Sequence, residues 1–333
     1  MSSQRPGPQK NVPRQGAALL LAMLILTLVA TLTAGMVWQQ SRAIAVEAAE
    51  RARTQGAWII TGLLDWARLI LREDQRTQER SGRSFDSLDE PWATPLAEAR
   101  LSTFLAADKD NNADSGPEAF FAGGITDAQS RWNLRNLLDD GTRQVLPAEV
   151  AVLAQLCQLA GLPTETAQRI ASGLQAAWGV PGNAPGNDSA TADTPLPPQR
   201  LTDLVWLGID AATVQRLAPW VDLLPVRTTV NANTAPREVL MASIPTLDAG
   251  SAERLVQQRQ RKPFETREDV KRQLPEGKEF DLARIGVGSV FFEAYGRLRL
   301  EDRVLEERSL LERRQNEVVT VRRERINLNT LAR

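Results

Sequence analysis

Histidine is absent from this chain of 333 residues, and cysteine and tyrosine occur once each. Without histidine the chain has neither the commonest general base nor the commonest metal ligand. A single cysteine, Cys157, excludes an intrachain disulfide, and its place in an apolar helical run predicts a buried thiol. The stretch Gly286-Val287-Gly288-Ser289 lacks the third glycine of a dinucleotide-binding fingerprint. The sequence therefore predicts that the protein is not an enzyme and uses no cofactor.

Charge is nearly balanced, with 40 basic and 41 acidic residues. A net charge of −1 gives no general attraction to nucleic acid or to anionic lipid. Hydrophobic residues make up 42% of the chain, so a sizeable core can be buried, and the length suggests about two domains.

One long run without charge stands near the N-terminus. Residues 17–37 contain no charged side chain, and as a helix they span roughly 30 Å, the thickness of a bilayer core. The residues before them carry Arg5, Lys10 and Arg14 and no acid, which keeps that end in the cytoplasm. The sequence predicts a single-pass protein of the cell inner membrane, with its C-terminal body in the periplasm.

Two interpretations of this N-terminus are open. Thr33-Ala34-Gly35 fits the small-residue cleavage site of an ordinary secretory signal. Alternatively, a short basic leader ends in Gly16 and the apolar run begins at once with Ala17, which resembles the type III signal of pilins and pseudopilins. That resemblance implies cleavage between Gly16 and Ala17 by a prepilin peptidase, and N-methylation of Ala17.

A departure from the pilin pattern falls at the fifth residue after the expected cleavage. Most pilins carry glutamate there, and this chain has Leu21. In that family the carboxylate neutralises the terminal amine of the neighbour already in the filament. The resemblance therefore implies a subunit that is placed first, although an ordinary membrane anchor would also lack the acid.

The segments that follow have recognisable periods. Apolar residues at helical spacing predict an amphipathic helix beyond the membrane, namely Ala48, Ala52, Ile59, Leu63, Trp66 and Ile70. Residues 74–119 favour mostly loop, and residues 120–127 a strand. Two helices are expected within 147–178, short helices within 201–224, and three more after residue 230, the first capped by Asn233 or Thr234.

The C-terminal part changes to the period of β-strands. Val290, Phe292, Leu298 and Leu300 alternate with more polar positions, and Val319 and Val321 do the same. A helical block is thus bracketed by strands. The predicted fold class is α+β, a long N-terminal helix and a small antiparallel pilin-type sheet with a large inserted all-α domain.

Two further stretches match the type II secretion system protein K family. Residues 125–134 read Ile-Thr-Asp-Ala-Gln-Ser-Arg-Trp-Asn-Leu, where the family has I-x-D-A-Q-G-R-F-N-L-N. Residues 230–235 read Val-Asn-Ala-Asn-Thr-Ala, where the family has V-N-V-N-T-A. Together with the leader and Leu21, their order along the chain resembles this family of minor pseudopilins, and the resemblance extends over nearly the whole sequence.

The resemblance implies an organisation and a set of partners. The expected parts are a leader (1–16), a transmembrane helix (17–40), the first pilin-like part (41–137), an inserted α-helical domain (138–282) and the second pilin-like part (283–333). The implied partners are the minor pseudopilins I and J, prepilin peptidase and the inner membrane, without nucleic acid. The implied role is to cap the tip of the periplasmic pseudopilus and initiate it.

Metal binding is expected to be absent. Some family members bind calcium through an acidic loop, but the corresponding residues 182–198 contain only Asp188 and Asp193 as acids. Residues 108–114 open like an EF-hand loop, yet Ala113 and Ala119 stand where glycine and a bidentate glutamate are needed. We expect neither segment to hold an ion.

Two rival functions are weighed against this one. Residues 230–274 resemble the helix-hairpin-helix of membrane-anchored competence DNA receptors, but Thr246 and Asp248 replace the hairpin glycines, and an acid there repels phosphate. A membrane-anchored hydrolase would need a catalytic base other than histidine.

Overall fold

The computed structural model describes residues 15–100, 119–179, 195–275, 280–300, 303–315 and 317–326. The chain divides into two compact units, Met1–Trp58 and Ile59–Arg333. The first unit contains the N-terminal part of helix α1 (Gln15–Ser81). All other elements belong to the second unit.

Helix α1 extends further than expected and packs on the sheet through a different face. It continues to Ser81, into the segment predicted as loop. In the second unit its buried residues are Ile60, Leu64, Ala67 and Leu71. The predicted face is one position away: Trp66 is 40% exposed, and Ile59, Leu63 and Ile70 are half-buried. Side-chain bonds reinforce this packing, since Arg68 Nε donates to the Val318 carbonyl at 2.9 Å.

A five-stranded antiparallel sheet, in the order β1-β2-β7-β8-β9, forms the centre of the second unit. The strands are β1 (Leu96–Arg100), β2 (Ala119–Asp127), β7 (Phe291–Leu300), β8 (Arg303–Arg314) and β9 (Glu317–Ile326). Strands β2 and β7 pair along their whole length, from Ala119–Leu300 to Asp127–Phe292. The chain therefore leaves the sheet after β2 and re-enters it beside β2.

Two strands of this sheet were not predicted. Strand β1 lies in the expected loop, and β8 is rich in charge. The buried positions also differ from the expected alternation. Val290 is 45% exposed whereas Phe291 and Phe292 are both buried, and Val318, not Val319 or Val321, is the buried valine of β9.

Six helices lie between β2 and β7 in the described part of the chain. They are α2 (Pro147–Leu159), α3 (Glu165–Trp178), α4 (Ala211–Leu217), α5 (Arg237–Ser243), α6 (Ala249–Arg261) and α7 (Arg267–Arg272), with 3-10 turns at Ala128–Ser130, Leu134–Leu137 and Leu201–Leu207. Pro147 occupies the first turn of α2, as expected. Helix α5 begins at Arg237 behind Pro236, so the prediction that Asn233 or Thr234 caps it is wrong.

The helices share one apolar core with the residues that enter and leave the block. Trp132, Leu153, Ile170, Leu240 and Ile285 are all fully buried in it. Two short parallel ladders close the block on itself: β3 (Trp132–Asn133) pairs with β4 (Val221–Asp222), and β5 (Val230–Asn231) pairs with β6 (Ile285–Gly286). The predicted α+β fold class with a helical insert in an antiparallel sheet is confirmed, whereas the exact domain bounds stay predictions.

The register of α1 on the sheet can be tested with two neighbouring leucines. Leu64→Ala removes a fully buried side chain and should lower the free energy of unfolding by about 2–5 kcal/mol. Leu63→Ala, on the half-buried face, should cost less than about 1 kcal/mol. Urea denaturation of the body from Arg42 onward gives both values. Equal costs, or a larger cost for Leu63, would contradict the packing.

Candidate functional site

The expected processing bond lies at the start of the described helix. Gly16 and Ala17 belong to the first turn of α1, and the leader residues before Gln15 lie outside the described part of the chain. Leu21 is 62% exposed, and its neighbours through Val37 are exposed apolar residues. The first acid after the junction is Glu47. An apolar helix surface of this length suits a membrane or the apolar interior of a filament.

The hydroxyl groups in this run are satisfied within the helix. Thr27 and Thr31 donate to the carbonyls of Leu24 and Leu28, each at 2.9 Å, and Thr33 donates to the Val29 carbonyl at 2.9 Å. Polar groups in lipid must find their partners inside the protein. Among the described helices, α1 alone is long and apolar enough to cross a membrane, although signal sequences share this property. This helix fits a single N-terminal membrane anchor.

The two sequence motifs meet at the carboxylate of Asp127, at the end of β2. Its Oδ2 accepts hydrogen bonds from Asn231 Nδ2 at 2.9 Å, Thr234 Oγ1 at 2.6 Å and Ser289 Oγ at 2.7 Å. Its Oδ1 accepts the Gln129 amide at 2.8 Å. We call these five residues the Asp127 junction. Through these hydrogen bonds the buried carboxylate connects three parts of the chain: the segment that leaves the sheet after β2, the middle of the helical insert, and the segment that returns to the sheet before β7.

Burial is the main influence on this carboxylate. Burial raises the pKa of Asp127, and the charge of nearby Asp86 acts in the same direction. The hydrogen bonds from Thr234 and Ser289 lower the pKa, and together these effects raise it to about 6. A buried charge without partners is costly, and four donors are what make this one tolerable. The arrangement leaves no open face for a substrate, so the junction is structural.

Asparagines extend the junction into the insert. Asn133 Nδ2 donates to the Val226 carbonyl at 2.7 Å, and its Oδ1 accepts the Leu224 amide at 3.1 Å. Asn233 makes a reciprocal pair with the backbone of Phe264, at 2.9 Å as donor and 2.8 Å as acceptor. An amide that both donates and accepts can replace one step of a backbone ladder. This explains why Asn233 is not a helix cap.

A second charged cluster lies where α1 meets β8. Arg313 donates to Asp86 at 2.6 Å and to Asp74 at 2.9 Å, and its guanidinium lies 4.5 Å from the ring centre of Phe292. Burial, followed by the charge of Glu90, raises the pKa of Asp74 to about 6. Oxygens of Asp74, Asp86 and Glu90 lie within 4.8 Å of one another, a spacing that could hold a cation. Arg313 already supplies the positive charge, so we assign no metal here.

The remaining sequence candidates have structural partners or lie outside the described residues. The Cys157 thiol is buried, which raises its pKa to about 11. Asp248 caps α6 by accepting the Ser251 amide at 2.8 Å, which places a carboxylate where the DNA-binding hairpin needs free amides. The EF-hand-like residues 108–114 and most of the loop 182–198 are outside the described part of the chain, and the absence of bound calcium stays a prediction.

Sequence reasoning missed five members of these clusters, namely Asp74, Asp86, Glu90, Ser289 and Arg313. Ser289 was named only as part of a stretch that does not form a dinucleotide-binding fingerprint, and the other four stand in segments without a distinctive pattern. Asp86 lies in the region expected to be loop, and Arg313 is one of four arginines in the charged strand β8. The only available signal in β8 was charge, which comes in the runs 306–308 and 312–314, and such runs more often indicate a solvated face.

Asp127→Asn tests the junction. The side-chain NH2 group introduced at position 127 would face the NH2 group of Asn231, so that one of these two donors has no acceptor. The free energy of unfolding should therefore fall by about 2–4 kcal/mol. Glu268→Gln, an exposed position in the first turn of α7, is the control and should change it by less than about 0.5 kcal/mol. The readout is urea denaturation at pH 8.

The difference in stability between the wild type and Asp127→Asn should depend on pH, and the raised pKa of Asp127 determines the sign of this dependence. Because the pKa of Asp127 is raised in the folded state, the folded protein binds the proton more strongly than the unfolded chain does. The contribution of Asp127 to stability therefore grows as the pH falls from about 7 towards 4. The stability gap between the wild type and Asp127→Asn should widen in that direction, and a gap that narrows would contradict the assignment.

Comparison with known proteins agrees with these observations. Two family models, both described as type II secretion system protein K, match residues 130–226 and 230–287. These ranges contain the second half of the first motif, residues 130–134, and all of the second motif.

Curated relatives align over most of their length. Type II secretion system protein K of Pseudomonas aeruginosa is 28% identical over 304 residues, covering 87% of this chain and 86% of the relative. The proteins of the same name from Pectobacterium carotovorum and Dickeya chrysanthemi are each 26% identical, covering 93% and 92% of this chain and 96% of each relative.

A solved structure has the same fold. A chain in the crystal structure of the GspK-GspI-GspJ complex from the enterotoxigenic Escherichia coli type 2 secretion system superposes with a TM-score of 0.57 at 18% identity, covering 84% of this chain and 98% of that one. With the shared motifs, the apolar N-terminal helix and the helical insert between β2 and β7, this chain is similar to type II secretion system protein K over most of its length, and this similarity supports a minor pseudopilin of that system.

Proposed function

We propose that this protein caps the tip of the periplasmic pseudopilus and initiates its assembly, without enzymatic activity of its own. In this proposal prepilin peptidase cleaves between Gly16 and Ala17 and methylates Ala17. The mature helix is held in the inner membrane, with the body in the periplasm. The body binds the minor pseudopilins I and J.

The observation that carries the proposal is Leu21. A terminal amine held in an apolar filament core is an unpaired charge, which costs several kcal/mol (of the order of 3–5) unless a carboxylate compensates it. This chain has no acid between Gly16 and Glu47, so it cannot compensate the amine of a subunit above it. Ala17 can still receive a carboxylate from a subunit below. A subunit with these properties fits only at the first position.

The helical insert supports the same placement. Six helices project from between two adjacent strands of the sheet, so every subunit stacked on this one would have to accommodate them. A pilin-like subunit that repeats along a filament needs a slimmer body. The bulk of the insert is therefore compatible with an end position, where nothing is added above.

A groove beside α1 offers a contact surface for a neighbouring subunit. Its volume is about 270 Å³, and the half-exposed face of α1 forms one wall with Leu63, Trp66 and Ile70. Trp92 and Tyr295 lie on the opposite side. Apolar surface of this kind is typical of protein contacts. The related structure is a complex of GspK with GspI and GspJ, which supports the corresponding two proteins as the partners.

N-terminal sequencing tests the processing step. The mature protein from wild-type cells should begin with Ala17, and cells without prepilin peptidase should contain the full-length precursor. Gly16→Val should also leave the precursor uncut, because the peptidase requires the small residue at this junction. An intact N-terminus in wild-type cells, or cleavage near Ala34, would contradict the pilin-type assignment.

The tip position can be tested with Leu21→Glu. The soluble body does not include this residue, so a pull-down of I and J by the body from Arg42 onward should be unaffected, and full-length Leu21→Glu should assemble with I and J as the wild type does. Isolated filaments should carry the wild-type protein at one end. Finding it repeated along the filament, or finding no association with I and J, would overturn the proposal.

A further inference from the structure

A charged pocket of about 420 Å³ lies between the helical insert and strand β9, away from the Asp127 junction. Three arginines from separate segments line it: Arg135 from the 3-10 turn Leu134–Leu137, Arg143 from the turn before α2, and Arg322 from β9. Trp178, the last residue of α3, forms one wall. The apolar part of the lining comes from Pro198, Leu223, Leu224, Pro225 and Val321.

Arg135 is the most buried of the three arginines in this pocket, and one of its donors is unsatisfied. Its side chain is only 10% exposed, and its guanidinium lies 4.5 Å from the ring centre of Trp178. One terminal nitrogen, Nη2, reaches Asp140 at 3.3 Å, whereas the buried Nη1 has no hydrogen-bond partner in the described part of the chain. Burial lowers the pKa of Arg135, and the positive charge of Arg143 lowers it further. Buried donors are almost always paired, so this position lacks an acceptor.

Arg143 is held in an unusual backbone conformation beside it. Its φ is 57°, in the left-handed region, and it is one of two non-glycine residues with positive φ within the described ranges. Its carbonyl accepts Gln175 Nε2 at 3.4 Å, which anchors the turn to α3. The described residues supply no ion pair to its guanidinium. Strain that presents a charged side chain to a pocket points to a functional position.

The charge of the pocket suits a single negative group. The lining arginines Arg135, Arg143 and Arg322 give three positive charges, and their partners Asp140 and Glu324 give two negative ones, which leaves +1. Arg322 is already paired with Glu324 at 2.7 Å, so Arg135 and Arg143 are the available donors. Two acids at the edge of the cluster favour a monoanion over phosphate, and the planar guanidinium of Arg135 fits a carboxylate.

We propose that this pocket binds a carboxylate carried by another protein chain, either a C-terminal carboxylate or an acidic side chain next to an apolar residue. In this arrangement Arg135 Nη1 and Arg143 donate to the carboxylate, and Trp178, Leu223 and Val321 contact the neighbouring apolar side chain. Two apolar side chains close in sequence to lining residues are exposed: Leu196, two residues before Pro198, by 70%, and Val226, directly after Pro225, by 53%. Exposed apolar residues next to the pocket suit a peptide that continues past it, since a small ligand is mostly enclosed by its site.

Calorimetry with the full-length protein in detergent micelles tests this proposal. The probes are N-acetyl-Leu-Phe with a free C-terminal carboxylate and the same dipeptide as its amide. The acid should bind at least about tenfold more tightly, because its hydrogen bonds are to charged donors. No binding of the acid at millimolar concentration, or equal binding of acid and amide, would overturn the proposal.

Variants locate the binding. Arg143→Gln, at a half-buried surface turn that should tolerate the change, is expected to weaken the acid dipeptide about tenfold, and Arg135→Gln to weaken it at least as much. Arg169→Gln, an exposed arginine of α3 outside the pocket, is the matched control and should leave the affinity unchanged. Unchanged affinity in Arg143→Gln, or a loss in Arg169→Gln, would place the binding elsewhere.

Two further arms identify the source of the carboxylate. Benzoate and inorganic phosphate should each bind at least about tenfold more weakly than the acid dipeptide, and equal or tighter binding of either would overturn a peptide site. Asp188 and Asp193 lie in the chain between Trp178 and Pro198. If the double variant Asp188→Asn, Asp193→Asn binds the dipeptide about tenfold more tightly, the natural occupant is this chain itself and the intermolecular proposal is wrong.

Discussion

The fold of the body depends on a single buried carboxylate. Asp127 ends strand β2, and three of its four donors come from segments that are far away in sequence, with Asn231 104 residues, Thr234 107 residues and Ser289 162 residues away. A fully buried carboxylate is tolerated only when its lone pairs are occupied, so losing any one donor raises the cost of all the others. The sequence between β2 and β7 can therefore vary in content, but its three contact points with the sheet cannot move independently.

A second buried carboxylate relays this constraint to helix α1. Asp86 accepts the Ser289 amide at 2.7 Å, and so lies next to a donor of the Asp127 junction, and on its other oxygen it accepts Arg313. Arg313 also binds Asp74 of α1. Arg313 of β8 neutralises both Asp74 of α1 and Asp86. It therefore couples the position of α1 to that of the sheet and of the segment at Ser289, where the chain returns from the insert. Replacing the arginine alone would leave several carboxylates buried together, which is more costly than removing the whole cluster.

The elements that were predicted correctly are those whose sequence signal lies within their own residues. The uncharged run, the paired helices after Pro147 and the strand before Asp127 each depend on their own residues, and each is found where expected. Strand β8 was missed because its inward face carries Glu307 and Arg313, whose partners lie elsewhere in the chain.

Other errors have the same origin. Helix α1 has apolar residues on two adjoining faces, and hydrophobicity alone did not decide between Leu63 and Leu64. Asn233 and Thr234 have the side chains of helix caps, but they bond to Phe264 and Asp127 instead. The composition of a segment determines what its side chains can bond to, and the tertiary fold determines which bond is made. The motif residues were identified correctly, whereas their convergence on one carboxylate was not.

Two buried arginines, Arg313 and Arg135, differ in the number of carboxylates that they bind. Arg313 and Arg135 each lie 4.5 Å from an aromatic ring and have side chains exposed by 10% or less. Both terminal nitrogens of Arg313 donate to carboxylates at 2.6 and 2.9 Å. Arg135 has one carboxylate at 3.3 Å, and its Nη1 is buried without an acceptor. Each guanidinium thus leaves one buried nitrogen without a partner among the described residues, Nε in Arg313 and Nη1 in Arg135, but Arg313 binds two carboxylates and Arg135 only one. A second carboxylate would give Arg135 the same pairing as Arg313.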